Sequence, residues 1–414
     1  MRINLLTIAI QFNDYREGVS LLTTAHENVH QRWAVSAPFS AAQKQRKARK
    51  SSGFRAISTC GHCIKDRVLI DSSCGTGGFL VQAMTHVISQ LEKQMSTSLG
   101  IPKSEWDNDT LRAFQDRISE MASQNYFGFD INPDLVKATK MNMVMNNDGS
   151  GNILQTNSLL PPHEWSDDFR TRLSEAVGVK KSDIKNYKTI AFFDVIVTNP
   201  PFGSKIPIKD RSILEQFELA HIWTNDKKKG TWTMTDRLQS SVPPEILFIE
   251  RCTQFLVPGG RMGIVLPDAI LSSPGLGYIR EWLIRNHRII ASIDLNVDTF
   301  QPHNGTQTSV LFLQKKTHEQ KDQEEKSGKM ADYDIFMAMV DKIGHDKRGN
   351  PIFKRDAEGN EILVPDTNNV LVLDETSEGT KTVSHQQTKK VEDDQTPDVP
   401  GIFSKWKVEE GLAW

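Results

Sequence analysis

The segment Val68-Leu69-Ile70-Asp71-Ser72-Ser73-Cys74-Gly75-Thr76-Gly77-Gly78-Phe79 holds a strand signal, a turn signal and a helix start. The short apolar run is continuous, as in a strand buried on both faces. The glycines after it permit backbone conformations closed to other residues, and they let a ligand approach the chain closely. A helical pattern runs from Phe79 to about Leu91 and would present its N-terminus to that ligand. No Lys-Ser/Thr follows the glycines, so the turn is not a P-loop. Nor does the spacing match the Gly-x-Gly-x-x-Gly of nicotinamide enzymes.

The same alternation continues outward from this unit. Strands are expected at Tyr126 to Asp130, Asn152 to Gln155, Phe193 to Thr198, Met262 to Leu266, Ile289 to Leu295 and Ser309 to Leu313. Helices are expected at Leu135 to Met145, Glu245 to Leu256 and Ile279 to Asn286. In the first of these, Leu135, Ala138, Met141 and Met145 share one face. Short Val- and Ile-rich strands alternating with helices over some 250 residues predict an α/β fold. Its expected form is a Rossmann-like, doubly wound, mainly parallel sheet of seven strands, with ligands at the carboxyl ends of the strands. Residues 100–125 and 161–190 read as polar insertions. Residues 203–243 read as a loop holding Trp223, Lys227-Lys228-Lys229 and Trp232. That loop is either a mobile element that closes on a nucleic acid or an irregular insertion with partly buried aromatics.

Two further motifs fall at strand ends. Asp130 closes the second strand, where a carboxylate can accept from both hydroxyls of a nucleoside ribose. Its alternative role is to cap the helix beginning near Pro133. Asn199-Pro200-Pro201-Phe202 follows the fourth strand. An adenine amino group is a poor nucleophile because its lone pair is delocalised into the ring. An Asn oxygen and a backbone carbonyl can accept its two N–H bonds and favour a pyramidal nitrogen. Pro200 fixes the backbone, and Phe202 offers a face to a base turned out of its duplex.

Asp71 to Leu80, Asp130, Asn199 to Phe202, Pro258-Gly259-Gly260 to Leu266-Pro267-Asp268, and Asn304-Gly305-Thr306 with Val310-Leu311-Phe312-Leu313 occur in one order. The order resembles that of the N6-adenine DNA methyltransferases, specifically the methylation (M) subunits of type I restriction-modification systems, over about residues 67–364. The resemblance implies S-adenosylmethionine (SAM) as cofactor, held by Asp71, Cys74, Gly75, Thr76, Gly77, Gly78, Asp130 and Asn157. It implies that Asn199, Pro200, Pro201 and Phe202 form the catalytic motif, with direct transfer to N6 and no metal. The implied partners are double-stranded DNA, a specificity subunit and a restriction subunit. Two departures stand out. Asn157 occupies a position that is commonly acidic, and residues 1–66 contain no Gly-Gln-Phe-Phe-Thr-Pro-like segment. The second departure keeps open a truncated, non-catalytic remnant. An RNA or protein-amide methyltransferase with a related tetrapeptide is the other alternative.

Composition adds limits. The net charge of −2 supplies no global attraction to nucleic acid. No apolar run approaches a membrane span and no signal peptide is read. Cys60, Cys63, Cys74 and Cys252 form no disulfide framework, which points to the cytoplasm. Cys60-Gly61-His62-Cys63 lacks the setting of either a redox or a zinc site. The expected organisation is an irregular basic segment at 1–66, a methyltransferase domain at 67–315, a strand-bearing extension at 316–372 and a linker with terminal segment at 373–414.

Overall fold

The computed structural model describes residues 67–411, except 147–149, 204–205, 227, 229, 303 and 375–378. The basic segment at 1–66 and Cys60-Gly61-His62-Cys63 lie outside the described residues. The core is a sheet of eight strands. They are β1 (Leu69–Asp71), β2 (Tyr126–Asp130), β3 (Ile153–Gln155), β4 (Phe193–Thr198), β7 (Leu256–Pro267), β8 (His287–Leu295), β9 (Thr308–Lys315) and β10 (Phe336–Val340). Two antiparallel ribbons stand apart, β5 (His221–Asp226) with β6 (Thr231–Leu238) and β11 (Leu363–Asp374) with β12 (Gly379–Lys390).

The strand order is β10-β8-β9-β7-β4-β1-β2-β3. Every neighbouring pair is parallel except those made by β9, which runs against both β7 and β8. The chain steps from β1 to β2 and β3 on one side, then crosses back to β4 and β7. The order therefore reverses beside β1 and β4, and a ligand crevice belongs at their carboxyl ends. Both site motifs lie there. The expected mainly parallel α/β sheet is present, with one strand more than the seven expected.

Helices cover both faces. Helix α1 (Gly78–Leu99) buries Leu80, Ala83, Met84, Val87 and Leu91, a 3–4 periodicity that makes one apolar stripe. Gly100, at φ 70°, ends it in a left-handed turn. Helix α2 (Asn108–Asn125) lies within the stretch expected to be a polar insertion; its sparse apolar face, Phe114, Ile118, Met121 and Ala122, is buried. Helix α3 (Pro133–Met145) starts on an Asn132 side-chain cap. Its core face is Val136, Thr139 and Met143, whereas Met141 and Met145 are 64% and 74% exposed. The apolar face read from the sequence is thus the outer one, because a threonine occupies the centre of the true inner face. The opposite side of the sheet carries α4 (Asp167–Val177), α6 (Pro244–Phe255) and α8 (Gly277–Asn286) around an aromatic cluster of Phe129, Trp165, Phe169, Phe193 and Phe255. The short α5 (Arg211–Leu214) and α7 (Asp268–Ser272) lie in connections.

The carboxyl-terminal boundaries need correction. The sheet does not stop at residue 315, since β10 pairs with β8 from Phe336 to Val340. The intervening α9 (His318–Ser327) has no buried residue, and its charge disguises the return to the sheet. The segment expected as a linker from 373 holds most of the β11–β12 ribbon and then α10 (Val399–Glu409). Phe403 of α10 meets Phe336 edge to face, with a centroid separation of 5.3 Å. Likewise, 203–243 is not all loop. Trp223 stacks on Tyr278 of α8 at 5.9 Å, and the Trp232 backbone N–H donates to Glu281 Oε2. This docking favours the partly buried insertion over a mobile closing loop. Lys227 and Lys229 lie outside the described residues.

Candidate active site

The turn after β1 is held from three sides. Cys74 N–H donates to Phe129 O at 2.9 Å, and Gly75 N–H donates to Asp130 Oδ2 at 2.9 Å. The Thr139 hydroxyl donates to Gly75 O at 2.6 Å. Gly75 and Gly77 have φ of 53° and 82°, where a side chain is strained. They serve different ends. A Cβ on Gly77 would lie 2.7 Å from Thr139 Cγ2, so this glycine permits turn and α3 to touch. A Cβ on Gly75 would meet nothing within 4 Å, so its backbone borders open space where a ligand can lie.

Asp130 does not cap α3; Asn132 does. Its Oδ1 accepts from Asn132 N–H at 2.9 Å while Oδ2 takes Gly75 N–H. Each oxygen keeps a lone pair, so the half-buried carboxylate holds the turn and can still accept from ribose hydroxyls. Asn157 follows β3, and its Oδ1 accepts from Leu159 N–H at 3.0 Å. Thr76 is exposed and Gly78 half-buried at the start of α1.

Asp71 and Cys74 are turned inward. Asp71 is 1% exposed; its Oδ1 lies 2.8 Å from the Thr198 hydroxyl and accepts from Ser73 N–H at 3.1 Å. Burial pushes its carboxyl up to about 7, opposed by the Thr198 and Ser73 hydrogen bonds and aided by the charge of Asp130. Burial likewise raises the Cys74 thiol far above its ordinary value. Both side chains build the turn from behind.

This burial has a pH consequence. The folded value of Asp71 lies above the ordinary 3.8, so the folded chain retains a proton that the unfolded chain releases. Stability is then lost as pH rises from about 4 to about 7 and is flat beyond. Asp71→Asn should remove this component. Between about pH 5 and about pH 7.5 the wild type should lose stability relative to the variant, with a slope of up to about 1.4 kcal/mol per pH unit. Urea midpoints of both proteins at the two pH values check this. Parallel profiles would contradict it.

The Asn-Pro-Pro-Phe loop lies against this turn. Ser73 Oγ donates to Asn199 O at 3.2 Å and lies 2.8 Å from Thr198 Oγ1. Pro200 is buried, Pro201 exposed and Phe202 half-buried against the core. Gly203 N–H donates to Glu245 Oε2 at 3.1 Å, tying the end of the loop to α6. Asn199 Oδ1 is buried and has no hydrogen-bond partner. Since buried acceptors are nearly always satisfied, this oxygen is one that a bound donor would complete.

Several residues that position the site are silent in the sequence. The Ser158 hydroxyl donates to Ser72 O at 2.7 Å, joining the loop after β3 to the turn. The fully buried Arg251 of α6 donates through Nη2 to Leu159 O, Leu160 O and Gln216 Oε1 at 3.1, 3.2 and 2.8 Å. It lies over the rings of Phe217 and Phe255. Glu250 accepts from Glu218 and Leu219 N–H groups at 3.0 and 2.9 Å, and burial raises its carboxyl to about 8. Helix α6 thus anchors three loops at the strand ends. Among the described residues no group of three or more His, Cys, Asp or Glu is placed to hold a metal ion.

A mainly parallel sheet with one reversed strand, a glycine turn after β1 and an acid at the end of β2 make a Rossmann-like α/β fold. More specifically, the chain belongs to the N-6 DNA methylase family, which it matches over residues 55–330. It is 25% identical over 265 residues to the type I restriction enzyme EcoKI methylase subunit of Escherichia coli (strain K12), covering 63% of this chain and 39% of that one. It is 21% identical over 250 residues to the type II restriction enzyme and methyltransferase RM.BcgI of Heyndrickxia coagulans, covering 60% and 28%. The chain therefore spans two fifths or less of the length of these two relatives. The crystal structure of the type I restriction enzyme EcoKI M protein aligns at 20% identity and a TM-score of 0.36, covering 61% of this chain and 40% of that one.

Proposed function

We propose that this chain transfers the methyl group of SAM to the N6 amino group of adenine in DNA, as the modification component of a restriction-modification system. The observation that carries the reading is the buried, unpartnered Asn199 Oδ1 beside the glycine turn. An amino group presented there satisfies that oxygen. The Pro200 carbonyl takes its second N–H, which draws the nitrogen toward the pyramidal form that attacks. Phe202 stacks on the base and keeps it out of the duplex. SAM, when bound, supplies the electrophilic methyl carbon on its sulfonium. Gly75, Thr76, Gly77 and Gly78 line its approach, Asp130 accepts from its ribose and Asn157 lies by its adenine. The chain's contribution is to hold the two reactants in line.

The proposed partners are double-stranded DNA, a specificity subunit that selects the site and a restriction subunit, with the cytoplasm as the setting. The type I naming of the Escherichia coli relative supports this assembly. No helix among the described residues is long and apolar enough to cross a membrane.

Asp130→Ala tests the cofactor half of the reading. It removes the ribose acceptor, the bond from Gly75 N–H of the glycine turn and the bond from Asn132 N–H beyond β2. SAM affinity should fall by roughly 1–3 kcal/mol, the usual effect of losing hydrogen bonds to a charged group. Calorimetric titration of both proteins with SAM measures it. Equal affinity would place the cofactor elsewhere.

A further inference from the structure

We propose that Ser73 is a positioning residue that sets the orientation of the Asn199–Pro200 peptide, and through it the two acceptors that hold the target amino group. The inference rests on the functional reading above. Three constraints determine where the Pro200 carbonyl points. The pyrrolidine ring fixes φ of Pro200. Pro201 confines Pro200 to extended ψ, because a residue before proline is barred from the helical region. Asn199 also precedes a proline and is held in the extended region, so the Asn199–Pro200 peptide plane keeps only a limited rotation about the Asn199 Cα–C bond. The Ser73 hydroxyl acts on that plane directly, through its 3.2 Å bond to Asn199 O.

Ser73 is itself held. Its Oγ lies 2.8 Å from Thr198 Oγ1, which lies 2.8 Å from Oδ1 of the buried Asp71. Each hydroxyl has one hydrogen, so with Asp71 protonated the hydrogens run from Asp71 to Thr198, to Ser73 and to Asn199 O. Thr198 is fully buried, so this chain of polar groups is shielded from competing water. Asp71, Thr198, Ser73 and Asn199 thus join the cofactor turn to the base-holding loop. The same side chain leaves Asn199 Oδ1 unoccupied, since it binds the backbone oxygen rather than the amide.

The test compares wild type, Ser73→Ala and Ser73→Thr. Tritiated SAM and adenine-unmethylated genomic DNA serve as probes, with the specificity subunit added if the isolated chain is silent. Ser73→Ala should lower kcat by about 10- to 100-fold, the scale of a slightly misplaced reactant. SAM affinity by calorimetry should stay within about twofold, and Ser73→Thr, which keeps the hydroxyl, should recover most of the lost rate. A wild-type kcat in Ser73→Ala overturns the inference alone. So does a loss of SAM binding in proportion to rate, or a Ser73→Thr as slow as Ser73→Ala. No transfer by wild type under either condition overturns the functional reading, and this inference with it.

Discussion

Asn199→Ala should reduce methyl transfer by roughly 10²–10³-fold, the usual effect of removing one preorganised polar group from a reacting centre. The reason lies in the oxygen it deletes. Asn199 Oδ1 is buried without a partner, so the folded chain bears the cost of desolvating it until a donor arrives. A target amino group relieves that cost, and does so most fully when its nitrogen is pyramidal. The loss should therefore fall on kcat, and SAM affinity should change by less than about twofold because Asn199 faces the base. Asn199→Asp retains an acceptor oxygen and should keep more activity than the alanine variant. Rates at saturating SAM and DNA, with calorimetric SAM titrations, check both statements. Full turnover by Asn199→Ala would remove the residue from the catalytic motif.

Arg251→Ala should lower stability by roughly 2–3 kcal/mol, since the lost donors and packing outweigh the relief of a buried cation whose Nε and Nη1 have no hydrogen-bond partner. Its guanidinium is fully buried, and burial lowers it to about 9, with Glu250 favouring the charge. Truncation leaves the carbonyls of Leu159 and Leu160 and the amide oxygen of Gln216 without this donor. It also opens a void between Phe217 and Phe255. Leu159 and Leu160 lie just beyond Asn157, so SAM binding should weaken along with stability. Arg251→Lys retains one charged donor but not the planar guanidinium, and should fall between the two. Urea denaturation measures the stabilities. A midpoint shift worth less than about 1 kcal/mol in Arg251→Ala would show that the buried network is not a keystone.

The sheet's central strands were legible because they announce themselves locally. Leu69-Ile70, Phe127 to Phe129 and Val195 to Val197 are continuous apolar runs, each closed by a residue of the site. The glycine turn and Asn-Pro-Pro-Phe were legible for the same reason, since each is a short contiguous motif. Helix α2 was hidden because only four of its eighteen residues, Phe114, Ile118, Met121 and Ala122, are buried. In α3, methionines marked the wrong face while Thr139, buried for its hydrogen bond to Gly75 O, marked the right one. The carboxyl-terminal strand β10 falls in the extension expected to bear strands, but its place in the sheet is hidden because its register with β8 is a long-range pairing. The positioning chemistry was least legible. Ser158 to Ser72 spans 86 residues, and Thr198 to Asp71 spans 127. Serine and threonine carry no pattern that reveals such partners, and only the closing of the sheet brings them together.

The proposed reaction turns on one nitrogen atom, N6 of adenine. Its most direct test is to incubate the chain, alone and with its specificity subunit, with SAM and adenine-unmethylated DNA. The DNA is then hydrolysed to nucleosides and the methylated species are identified by mass spectrometry. N6-methyldeoxyadenosine should form with wild type and be absent with Asn199→Ala. Methylation confined to cytosine, or no methylated nucleoside from a folded wild-type chain under both conditions, would contradict it.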